Sequence, residues 1–184
     1  MSLNVPSGST SKISFGPAVV YIGAAGATPT VDTGYIDNDA GVEITLSSKK
    51  RDITQGNPKI PLYTFSQEQN VMVKFSGIEW NQNNISYGLG AGTTAVSGAE
   101  LGFTFGGDPI AKTCAIKIDH YMAVSGHTMT FYCWKAVSDG DIAIGLTHDE
   151  HKFPYQYKLQ RSTTDWAGAS LAYDKQIFKM AEIL

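Results

Sequence analysis

A chain of 184 residues with 42% hydrophobic and 11% aromatic side chains has the composition of one ordinary globular domain, without the charge excess or aromatic poverty of a disordered segment. Seventeen acidic residues against fourteen basic ones leave a formal charge of −3, so the overall balance excludes the strongly basic surface that tight nucleic-acid binding requires. The opening residues lack the basic start and apolar run of a secretory signal, and no later apolar run has bilayer length. The expectation is therefore a cytosolic protein without membrane insertion.

Residues 1–14 are rich in Ser, Gly, Thr and Asn without periodicity and are expected to form a flexible arm. Ordered structure is expected over 15–184. Short β-like runs punctuated by Gly, Pro, Asn and Asp follow at Pro17–Ile22, Val31–Asp37, Val42–Ser48, Gln69–Gly77, Lys112–Val124, Thr128–Val137, Asp141–Leu146, Tyr155–Arg161 and Ser170–Ile183. Nine strands of this length predict a mainly β, single-domain sandwich or barrel.

Two runs alternate clearly. In Val42-Glu43-Ile44-Thr45-Leu46-Ser47 the aliphatic residues share one face and Glu43, Thr45 and Ser47 the other. Asn70-Val71-Met72-Val73-Lys74-Phe75 repeats the pattern, with Asn70 and Lys74 on the wet face and Met72 as the exception. Between the two lies Lys49–Pro61, a basic stretch with Pro58, Pro61 and Gly56 and no period of either kind, which reads as a long loop. Gly77–Gly90 is the one expected helix, with Ile78, Ile85 and Leu89 near one stripe and a glycine to end it. Ala91–Gly107 is rich in small residues and runs into a Gly-Gly-Asp-Pro turn signal.

The sequence carries few residue clusters with evident chemistry. His148-Asp149-Glu150-His151 offers two imidazoles and two carboxylates, but in a turn-like context without a distant further ligand, so a solvated turn is expected rather than zinc. Gly88-Leu-Gly-Ala-Gly92 follows the helix instead of opening one, the reverse of a phosphate-binding loop. Ser125-Gly126-His127 lacks an elbow and an evident acid partner and is expected to be a hairpin turn. Asn84-Ile85-Ser86 has the form of a glycosylation acceptor, which carries no meaning without secretion. Cys114 and Cys133 are expected to be buried free thiols. The aromatic run Thr130-Phe131-Tyr132-Cys133-Trp134 could stack sugars or bases if its rings faced solvent, but such a strand is more often core. No catalytic residue, metal site or cofactor is expected.

The order of features, from Phe15–Gly23 through Val42–Leu46, the basic excursion, Gln67–Ser76, Ile78–Gly90, Phe153–Gln160 and Gln176–Lys179, resembles the tail tube (major tail) proteins of long-tailed bacteriophages over residues 15–180. The resemblance implies a β-sandwich with a flanking helix that assembles as hexameric rings. The rings stack into a tube in the virion tail, put together in the host cytoplasm. Partners would be further copies, other tail proteins including the tape measure protein, and double-stranded DNA passing through the lumen without specific binding. Under this resemblance the wet face formed by Glu43, Thr45, Ser47, Asn70 and Lys74 lines the lumen. Lys49–Pro61 reaches a neighbouring subunit, with Lys49, Lys50 and Arg51 pairing with its acids and Ile53 and Ile60 as buried anchors. Alternatives are a non-catalytic β-sandwich binding module for carbohydrate or another ligand, and a related tail terminator, connector or secretion-system tube protein.

Overall fold

The computed structural model describes residues 16–37, 39, 41–79, 81–107, 110–123, 125–142 and 151–183; the expected 1–14 arm, most of the Asp141–Leu146 run and His148–Glu150 lie outside them. The chain is mainly β with one short helix. Strands β1 (Ala18–Ala24), β2 (Val31–Asp32), β3 (Val42–Gln55) and β4 (Ile60–Gly77) precede helix α1 (Gln82–Leu89). After it come β5 (Thr93–Ser97), β6 (Glu100–Thr104), β7 (Thr113–Met122), β8 (His127–Ser138), β9 (Phe153–Leu159) and β10 (Phe178–Ile183). β5 and β6 form a separate hairpin; the other strands form one antiparallel sheet in the order β2-β1-β7-β8-β9-β4-β3, with β10 beside the first half of β8.

This sheet wraps around its own core. At one end it closes: Ile36 bridges Gly77, with Asp37 N–H donating to the Ser76 carbonyl (2.8 Å) and Ile78 N–H to that of Tyr35 (3.0 Å). The segment leaving β2 thereby joins β1 to the end of β4, satisfying edges that an open sheet would leave unpaired. Inward-facing residues alternate most regularly in β9, where Phe153, Tyr155, Tyr157 and Leu159 are buried and Pro154 and Lys158 are exposed. The Tyr155 ring stacks on Phe75 with centroids 4.5 Å apart, and Val20, Ile22, Val73, Ile116, Ile118 and Cys133 complete the centre. Both cysteines are buried free thiols.

The helix is shorter than the sequence suggested. Asn81 caps it by accepting the Asn84 N–H (2.8 Å), and Gly90 ends it in the left-handed region at φ 60°. Gly88 is buried against Ile142 and the Tyr155 ring, where a methyl group would collide with both. Asn84 is not an exposed acceptor: its amide is buried and donates to the Thr33 carbonyl (3.1 Å), tying α1 to the segment after β2. Residues 93–104, within the stretch whose small residues suggested no element, form the β5–β6 hairpin. The expected strand at Val31–Asp37 is reduced to β2 and the Ile36 bridge, and that at Ser170–Ile183 to a bridge, a short 3-10 turn and β10.

The main correction concerns Lys49–Pro61. It is not a loop: β3 and β4 continue as a paired ribbon through Gln55↔Ile60, and residues 56–59 alone make the turn. β3 keeps its alternation through Gln55, but with both faces exposed no apolar period marks it; the ladder meanwhile shifts register between Lys49 and Lys50 and again between Ile53 and Thr54. Each shift inserts an extra β4 residue and resets its phase.

The neighbouring tyrosines give a test of the core. Tyr157 donates its hydroxyl to the Tyr87 carbonyl (3.0 Å), whereas the buried Tyr155 hydroxyl has no partner among the described residues. Tyr155→Phe should therefore be neutral or stabilising in urea unfolding, while Tyr157→Phe should cost about 1 kcal/mol by removing a hydrogen bond, the Tyr87 carbonyl keeping only that from Gly90 N–H. Burial also raises the Cys114 thiol from 9.0 to about 12 and pushes the Cys133, Tyr155 and Tyr157 groups upward. Above about pH 9 the unfolded chain loses these protons first. Stability should be full below that pH and fall steadily as pH rises towards 12, as melting temperature against pH would record.

Candidate functional site

The feature that the core does not explain is the far half of β3–β4. Every residue from 45 to 69 is exposed, making a two-stranded arm that leaves the barrel with solvent on both faces. Such a ribbon is marginal alone, yet it carries Leu46, Ile53, Ile60, Leu62, Tyr63 and Phe65 in the open.

Register shows how these side chains are arranged. Paired residues of an antiparallel ladder share a face. Near the barrel, Val42↔Phe75, Ile44↔Val73 and Leu46↔Val71 point to the core, while Glu43↔Lys74, Thr45↔Met72 and Ser47↔Asn70 point away from it. Along β3 the outward set continues through Lys49, Arg51, Ile53 and Gln55. The odd-numbered residues of β4 do not keep to the core side: past the first shift Phe65 lies opposite Arg51 and Tyr63 opposite Ile53, and past the second Ile60 lies opposite Gln55. The two shifts thus collect Ile53, Tyr63, Phe65 and Ile60 on the outward face. The inward face turns polar beyond Leu46, with Thr64 donating to Asp52 (2.6 Å) and Ser48 bonded to Ser66 (2.9 Å).

The two sets of candidate residues fare differently. Glu43, Thr45, Ser47, Asn70 and Lys74 lie together as one outward polar strip. Thr45 donates to Glu43 (3.0 Å), Ser47 to the Asn70 carbonyl (3.4 Å) and Asn70 to Glu68 (2.7 Å). The register of β4 with β9 extends the strip to Gln156 and Lys158, which sequence reasoning missed. Of the arm residues, Lys49, Arg51, Ile53 and Ile60 share the apolar face and Lys50 points to the other. Tyr63 and Phe65 were also missed, although an aromatic pair two residues apart beside a Pro-containing turn was the available signal.

Beside the arm's root is a trough. Its apolar part, about 480 Å³, lies between β3 and β10 and is lined by Ala18, Ile44, Leu46, Phe131, Phe178 and Met180. It shares Ala18, Val42 and His120 with a second part of about 690 Å³, whose walls include Asp32, Asp37 and Glu79. Asp37 is ion-paired with Lys152 (2.8 Å), and the bond from Lys152 holds its carboxyl below the usual range. Glu79 accepts the Tyr35 N–H (3.3 Å) and Asp32 the Gly34 N–H (2.9 Å).

The other candidates resolve into structure where they are described. Ser125-Gly126-His127 is the β7–β8 turn, with Gly126 at φ 74°. An acid partner does exist, Glu182, which meets His127 Nδ1 at 2.7 Å. Ser125, however, bonds to backbone groups, accepting from His127 N–H (3.3 Å) and donating to the Met122 carbonyl (3.5 Å). The aromatic strand is divided by alternation: Phe131 and Cys133 face the core, and Tyr132 and Trp134 lie on the opposite side under Trp166. Trp134 is only 5% exposed, so this face is a covered cluster and not an open stacking platform. No group of three or more metal-ligating side chains occurs among the described residues, and of the His148–His151 cluster only His151 is described.

No protein-family model and no curated protein matches this sequence.

Because the arm's apolar residues contact little in the single chain, Ile53→Ser and Tyr63→Ser should change unfolding free energy by no more than about 0.5 kcal/mol. Ile116→Ala, in the core, should cost roughly 2–5 kcal/mol. A chemical denaturation series on the three variants, at concentrations where the chain is monomeric, checks the contrast.

Proposed function

We propose that this protein is a structural subunit that assembles with copies of itself, as the tail tube protein of a long-tailed bacteriophage. The observation that carries the reading is the arm: a long exposed ribbon whose two register shifts gather four large apolar residues on one side. A fold that only had to be stable as a monomer gains nothing from that arrangement, and an exposed edge ribbon invites association. Burial in a neighbouring subunit accounts for both the apolar face and the ribbon's length.

The outward polar strip supports the second half of the reading. Glu43 faces Lys74 directly and Ser47 faces Asn70, so the surface is polar and nearly charge-balanced. Such a strip, repeated around a hexameric ring, suits a conduit, because an excess of bases would hold DNA phosphates instead of letting them slide. In this reading Glu43, Thr45, Ser47, Asn70 and Lys74 line the lumen, double-stranded DNA and a tape measure protein occupy it in turn, and the assembled protein resides in the virion tail. No catalytic step or cofactor is involved.

Negative-stain images of the purified protein should show rings or tubes with a lumen wide enough for duplex DNA. Deleting Asp52–Lys59, which shortens the ribbon without touching the core, should leave a soluble folded monomer that forms neither. Normal tubes from that deletion, or a wild-type protein that stays monomeric at high concentration, would defeat the proposal.

A further inference from the structure

Resting on the self-assembly reading, we infer that the arm of one copy docks in the trough between β3 and β10 of the next, making a head-to-tail contact. Both halves of this contact are unpartnered apolar surfaces on the same chain. The arm offers Ile53, Tyr63, Phe65 and Ile60; the trough offers Ile44, Leu46, Phe131, Phe178 and Met180, of which Leu46 is 63% and Met180 57% exposed. Fully burying side chains of this size stabilises by roughly 1.5–3 kcal/mol each, ample for a specific contact even after its ordering costs.

Charge points the same way. Residues 45–69 hold four bases and two acids, a formal +2 on a chain whose total is −3, leaving −5 on the remainder. Three of the four bases cluster at Lys49, Lys50 and Arg51, between the turn and the barrel, and the fourth, Lys59, is in the turn. The trough has a matching order, apolar beside β10 and running past His120 into walls that carry Asp32 and Glu79, with Asp37 beside them already paired to Lys152. A docked arm therefore sets apolar tip against apolar floor and basic root against acidic wall.

A chain cannot fill its own trough this way. The trough is walled by the inward face of β3, through Ile44 and Leu46, whereas the apolar face of the arm is the outward face of the same ribbon. The face that would have to enter the trough is thus turned away from it in the same chain, and a second copy must supply it. Because donor and acceptor are different patches, the contact is heterologous and propagates to a closed ring or an open filament instead of stopping at a symmetric dimer.

The test uses two full-length variants whose substitutions are all at exposed positions. The arm variant is Ile53→Glu with Tyr63→Glu, and the trough variant is Leu46→Glu with Met180→Glu. Each alone should keep the wild-type fold by circular dichroism and sediment as a monomer, with self-association weakened about 100-fold or more, the loss expected for central anchors. Mixed in equal amounts they should form a one-to-one heterodimer and nothing larger, because the intact arm of the trough variant meets the intact trough of the arm variant. A mixture that stays monomeric, or a trough variant that assembles like wild type, overturns the inference. So does a large drop in melting temperature of the trough variant alone, which would mean that its own chain occupies the trough. Tubes formed by the trough variant would remove this contact and leave the tube reading standing. A heterodimer from the mixture, together with wild-type protein that grows only open filaments without a lumen, would remove the tube reading and leave the contact.

Discussion

A β-strand shows alternate residues to opposite sides, so an apolar set can leave the core side only if the alternation itself is broken. In this protein β4 breaks it twice, at the shifts beside Lys49/Lys50 and Ile53/Thr54. Val71, Val73 and Phe75 fill the barrel, and the same strand a few residues earlier turns Phe65, Tyr63 and Ile60 away from it. Without the first shift Phe65 would continue the core row into empty solvent on the inward side. With it, the arm acquires one apolar and one polar face, and the outward polar strip at its root is left free for a separate role.

The rest of the fold serves to hold that root in place. The Ile36–Gly77 bridge closes the sheet at the end of β4, α1 is tied to the same region through Asn84 and Thr33, and the stacked Phe75, Tyr155 and Tyr157 rings lock β4 to β9. On the opposite side of β8, Tyr132, Trp134 and Trp166 form a second small cluster, anchored by the Trp134 indole donating to the Lys175 carbonyl (2.9 Å). That cluster positions the chain on its way from β9 to β10, and β10 supplies Phe178 and Met180 to the trough. The barrel thus holds the root of the arm and the trough at fixed relative positions, which directional assembly requires.

Much of this was legible in the sequence wherever one side of a strand faces the core. The alternation of Val42–Ser47 and Asn70–Phe75 gave both the strands and their wet face correctly, the hairpin at Gly126 followed from its glycine, and the end of the helix was narrowed to Gly88 or Gly90, of which Gly90 takes the left-handed cap. Lys49–Pro61 was misread because an exposed ribbon has no burial to impose a period on its residues. The β5–β6 hairpin was hidden for a similar reason, its exposed strands being built of small residues around Gly98. Contacts between distant segments, such as Glu182 with His127 or β10 with the trough, leave no local trace and needed the fold.

Assembly through the arm requires it to be bare in the single chain and covered in the assembly, and amide hydrogen exchange read at several protein concentrations measures that directly. Dilute protein should exchange rapidly throughout residues 45–69 while β7, β8 and β9 stay protected, and raising the concentration should protect the arm and the Phe178–Met180 end of β10 together. Arm amides that exchange at the same fast rate at every concentration, including under conditions where light scattering reports large assemblies, would contradict it.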